Sequence, residues 1–123
     1  MKIIKNKQIA HELKAFQRGL EFFKQENALL KYRLSEIVDN NEENGFLQLA
    51  EYFQNELLLK DEMLDKLTKD LHQLSERFQD LDDNETYSQN VLLMHKFRID
   101  ILSLENNFLT LSKEFNEKML QHI

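Results

Sequence analysis

Apolar residues recur at alternating steps of four and three along most of the chain, and this spacing limits the fold more than any other feature. One seam links Ile9, Leu13, Phe16, Leu20, Phe23, Asn27, Leu30, Leu34 and Ile37. A second links Phe46, Ala50, Phe53, Leu57, Lys60, Leu64, Leu67, Leu71, Leu74, Phe78 and Leu81. The third runs Tyr87, Asn90, Met94, Phe97, Ile101, Leu104, Phe108, Leu111 and Phe115, then fails at Lys118 and His122. A straight helix would rotate such a stripe away from its neighbour, so the spacing specifies left-handed supercoiling with knobs-into-holes packing.

The 123 residues include no Pro and only two Gly, Gly19 and Gly45, too few breakers for the many turns of a sandwich or a doubly wound sheet. Two polar clusters interrupt the seams, residues 39–45 and 80–85, and read as the two turns. Asn40 with Glu43, and Asp82 with Glu85, have capping-box spacing, which predicts that each turn opens a new helix. The expected fold is all-α: helices near 2–38, 43–80 and 84–121 in one domain over 1–123. Turns this short cannot cross the length of the bundle, so neighbours run antiparallel, up-down-up.

Both polar members of the first two seams fall at one level when the chain is folded at the first turn, and folding at the second brings Glu105 to the same level. The spacing therefore predicts a polar layer of Asn27, Lys60 and Glu105. An unpaired ammonium inside the seam costs several kcal/mol, roughly, so Lys60 must reach Glu105 or extend its amine into water. The layer reads as a register device that penalises slipped pairings, or alternatively as a buried site for a polar or anionic ligand.

Beyond the seams lies a second apolar stripe: Ala15, Phe22 and Leu29 on the first helix, Leu49, Tyr52, Leu59 and Met63 on the second, Leu102 and Leu109 on the third. Much of it clusters at the middle of the rod. Part is expected to widen the core, and the rest to form an association surface carried by Phe22, Leu29, Leu59 and Met63. Gly19 lies on that side of the first helix, where a missing side chain lets another backbone come close.

Signals for chemistry are sparse. With no Cys, thiolate metal sites, disulfides and cysteine nucleophiles are excluded. His11, His72 and His95 fall on outward heptad positions and His122 near the end, and none has Glu three residues before it, so no di-iron or zinc pattern exists. No Gly-rich phosphate loop, Gly-x-Ser-x-Gly elbow or seam pair of carboxylates occurs. The expectation is a non-enzyme without metal or cofactor. A net charge of −6 argues against nucleic acid and anionic membranes. Residues 1–38 carry 8 basic and 4 acidic groups, whereas 45–82 carry 4 and 9, so the first two helices should attract each other. The longest apolar run, Val91 to Met94, is far short of the roughly 20 residues a spanning helix needs. With no leader-like stretch after the basic start, the cytoplasm is the expected location.

The segments Glu26 to Glu36 and Glu51 to Glu56, with Lys60-Asp61-Glu62, resemble small uncharacterised helical proteins of bacteria. That resemblance covers mainly the first two helices and implies a bacterial, stand-alone three-helix protein without an assigned activity. The architecture is also similar to spectrin-type repeats, which are long antiparallel three-helix coiled coils. Together these readings lead to an expected interaction or scaffold module, homodimeric or bound to another helical protein.

Overall fold

A computed structural model describes the backbone of residues 2–40, 44–79, 84–119 and 121, and the side chains of 7–40, 45–78, 87–119 and 121. It contains three α-helices: α1 (Lys2–Asp39), α2 (Asn44–Gln79) and α3 (Asn84–Met119). They are 38, 36 and 36 residues long, or about 55 Å each. The bounds depart from those expected by one or two residues, as fraying ends allow.

Pairs of contacts fix the directions. Asn27 meets Leu57, and a groove nearer the other end brings Ile9 of α1 beside Phe78 of α2, so these helices are antiparallel. Phe53 packs edge-to-face on Phe115 at 5.2 Å between centroids and Phe78 on Tyr87 at 6.4 Å, which makes α3 antiparallel to α2. Phe16 meets Phe97 at 5.1 Å and Phe23 meets Phe108 at 5.3 Å, so α1 and α3 are parallel. The fold is the all-α antiparallel three-helix bundle that the periodicity requires.

The seam residues form one continuous core, from Phe46, Phe53 and Leu57 through Leu64 and Leu67 to Met94 and Phe108. Packing is uneven around it. The α2 backbone lies close to both neighbours, whereas α1 and α3 stand further apart and meet largely through phenyl rings. Edge-to-face rings occupy more width than aliphatic knobs and add directional preference to burial.

Two expectations need correction. Asn40 does not open α2: its backbone N–H donates to Ile37 O at 3.2 Å, and its side chain donates to Glu36 O at 2.9 Å. It closes α1 by satisfying carbonyls that have no partner within the helix. The matching positions Glu43, Asp82 and Glu85 lie outside the residues whose side chains are described, as do Leu81 and His122. On α3 the seam does not stop at Phe115. It steps four residues to Met119, 1% exposed, while Lys118 faces solvent and pairs with Glu114 at 3.1 Å. Two successive steps of four let the stripe drift toward the spacing of a straight helix, so the supercoil relaxes at this end.

Candidate functional site

Asn27 is fully buried in the middle of the α1 seam. Its amide nitrogen donates to Leu57 O at 3.0 Å and to Asp61 Oδ1 at 2.7 Å. The other Asp61 oxygen accepts from Lys31 Nζ at 2.5 Å. Both partners of the amide nitrogen are acceptors, which fixes the side-chain orientation and leaves Asn27 Oδ1 buried with no donor among the described residues. The polar layer is thus a chain of three side chains, Asn27, Asp61 and Lys31, open to water at its outer end, where Lys31 and Asp61 are 41% and 34% exposed.

The structure brings Asn27 to this layer but does not bond it to Lys60 or Glu105. Both are half-buried, and neither makes a hydrogen bond or ion pair among the described residues. The Lys60 ammonium is therefore left to extend along its aliphatic stem into water. Asp61 and Lys31 occupy positions flanking the seam, and their opposite charges were the signal that could have located them. Asn90 is a second buried polar seam residue, and it has a local explanation. Its amide donates to Arg77 O at 3.2 Å, a carbonyl in the last turn of α2, so α3 supplies a cap that α2 cannot provide for itself.

Lys60 and Glu105 do not line the two grooves between α1 and α2. One of about 410 Å³ lies between the N-terminal half of α1 and the C-terminal half of α2, lined by Leu13, Lys14, Thr68, Leu71 and His72 among others. Another of about 560 Å³ lies between the opposite halves, lined by Lys31, Leu34, Leu47 and Leu58 among others. Neither is lined by Asn27. Among the described residues, no group of three or more His, Cys, Asp or Glu side chains could hold a metal ion, and no helix is long and apolar enough to cross a membrane.

Among the described residues, ion pairs join the helices at two places. Lys31 with Asp61 follows the expected attraction between a basic α1 and an acidic α2. The other pair has the opposite sense: Glu12 of α1 holds Arg98 of α3 in a two-point contact, with Arg98 Nη2 donating to Glu12 Oε2 at 2.8 Å. The hydrogen bond from Arg98 holds the Glu12 carboxyl below its ordinary value of 4.5 and, reciprocally, raises the guanidinium. A depressed carboxyl binds its proton less readily folded than unfolded. Its stabilisation is therefore complete above pH 4.5 and is lost as pH falls through the lower folded value. Glu12→Gln should cost about 1 kcal/mol or less near neutrality, because the pair is partly solvated. In urea unfolding at several pH values, the gap between variant and wild type should close on acidification.

The proposed association residues all face solvent. Phe22, Leu29, Leu59 and Met63 are exposed between 42% and 54%, and Leu102 and Leu109 at 57% and 58%. They do not make a single patch. Phe22 and Leu29 follow the edge of α1 that carries Glu12, beside α3, but further along it, near and beyond the Phe23–Phe108 ring pair. Tyr52 and Leu59 share one row on α2, with Met63 a turn beyond, and the Tyr52 phenol is raised by desolvation and by Glu114 on the opposite edge of α3. Gly19 is on the α1 edge facing α3, and a methyl group there would meet nothing within 4 Å. No family model, curated protein or solved structure matches the chain, and what the structure shows is the all-helical, three-helix architecture alone.

Proposed function

We propose that this chain is a non-catalytic interaction or scaffold module that self-associates through the apolar middle of its bundle. The supporting observation is the exposure of Phe22, Leu29, Leu59, Met63, Leu102 and Leu109 halfway along a rod whose own core is already closed by the three seams. None of these side chains is needed to fill the core, and large apolar side chains left in water at one level of a folded chain mark association. A polar or anionic ligand held at Asn27, Lys60 and Glu105 is favoured only by the unpartnered Asn27 Oδ1. That atom is an acceptor and calls for a donor, which an anion does not supply.

Sedimentation equilibrium over a range of loading concentrations tests the reading. The wild type should show a concentration-dependent dimer, and a Phe22→Glu, Leu102→Glu double variant should lose it while keeping its helical circular dichroism. A wild type that remains monomeric throughout would remove the self-association reading and direct the search to a different helical partner.

A further inference from the structure

The outward face of α3 carries a second heptad seam that the core does not use. Leu92, His95, Ile99, Leu102, Asn106 and Leu109 follow one another at steps of three and four, and every one is exposed, Leu92 at 71%. α1 carries an exposed run of the same spacing, Ala15, Arg18, Phe22, Gln25, Leu29 and Tyr32, and α2 a shorter one at Tyr52, Leu59 and Met63, so what distinguishes the α3 row is its match to itself. Its flanks hold Arg98 and Glu105 on the side of α1, and Lys96 and Ser103 on the other.

Resting on the self-association reading, we infer that α3 pairs with α3 of a second copy of this chain, antiparallel, about a two-fold axis near Ile99 and Leu102. In this register Leu92 lies opposite Leu109 of the second copy, Ile99 opposite its Leu102, and His95 opposite its Asn106. Apolar layers thus meet apolar layers and the polar layer meets the polar one, and the two-fold axis repeats each match in reverse. On the flank, Arg98 comes beside Glu105 of the second copy. Glu105 is half-buried and makes no ion pair among the described residues, while Arg98 already holds Glu12 and has further N–H groups to donate.

Neighbouring registers lose these matches. Sliding one heptad in one direction sets His95 against Ile99, and in the other sets Leu102 against Asn106. A parallel pair stacks His95 on His95 and leaves Arg98 facing Ser103 and Glu105 facing Thr110, with neither charge answered. The complementarity of this face is therefore with itself, which argues for a second copy as its occupant. The same two-fold axis keeps the α1 edges of both copies on one side. Phe22 and the open backbone at Gly19 then border the dimer seam, whereas Leu59 and Met63 stay outside it.

The test uses single cysteines, each unique because the chain has none of its own. Leu92→Cys and Leu109→Cys proteins are oxidised separately and as an equimolar mixture, with sedimentation of the wild type run alongside. In the antiparallel register, like cysteines lie about 25 Å apart along the axis and cannot bridge. Only the mixture should give a disulfide-linked dimer. An Ile99→Glu, Leu102→Glu variant should raise the dissociation constant of the dimer about 100-fold or more with its helical content intact. Crosslinking of Leu92→Cys with itself would overturn the antiparallel pairing in favour of a parallel one. A wild-type dimer with no crosslink in any sample would place association on another face and overturn this inference alone. A wild-type monomer would overturn both it and the self-association reading.

Discussion

Asn27→Asp should destabilise the bundle by about 3 kcal/mol or more at neutral pH, the cost of a buried charge without compensation. The new carboxylate would face Leu57 O and Asp61 Oδ1, both acceptors, at the points where the native amide donates. Lys31 Nζ is already engaged by Asp61. Burial and the Asp61 charge both raise the pKa of the introduced group, so the folded state binds its proton more readily than the unfolded state. The penalty is therefore present above the raised value and is relieved as pH falls through it. Urea unfolding near neutral and mildly acidic pH would show the variant recovering stability on acidification, and an equal deficit at both would contradict this account. Asn27→Leu supplies the contrast. It removes the unpartnered Oδ1 and should raise stability by about 1 kcal/mol, at the expense of a single oligomeric state, because the seam then pairs equally well in slipped registers. The first change places charge in the layer and the second removes its polarity, so the pair separates a register function from simple packing.

Phe53→Ala should cost about 3–5 kcal/mol, as is usual for a fully buried phenylalanine. Phe53 has no exposed surface and packs edge-to-face on Phe115, which ties α2 to α3 near one end of the bundle. The neighbouring helices cannot collapse into the gap without moving the Phe53–Phe115 layer as a whole, so little of the cavity should be recovered. A domain of this size has a total stability of about 5–15 kcal/mol, and the loss would be visible as a large fall in the urea midpoint. Phe22→Ala is the internal reference. With 54% of its surface already in water, Phe22 should cost the monomer about 0.5 kcal/mol or less. Similar losses at the two positions would mean that the core boundary drawn here is misplaced.

The seams of α1 and α2 could be read from the sequence because heptad periodicity is a local property, carried by residues three and four apart on one helix. The same locality explains the errors. Asn40 has N-cap chemistry and C-cap chemistry at once, and which helix end it serves depends on where the chain bends. Met119 enters the core because α3 relaxes its supercoil at its end, which step counting from Leu111 and Phe115 does not reveal. The level of Asn27 on α2 was also legible, since Leu57 and Asp61 bracket Lys60. The bonding partner was not, because a shift of one residue on a helix rotates a side chain by about 100°.

By itself, then, the sequence determined three long helices, their antiparallel order and most of the residues that face inward. Local spacing and the scarcity of breakers leave little other choice. The tertiary structure decided what lies between helices: the Asn27–Asp61–Lys31 chain, the Glu12–Arg98 pair, the ring pairs that hold α1 away from α3, and the solvent face of α3. Those features depend on the rotation of each helix about its own axis, which is set by packing the seams together and by no residue acting alone.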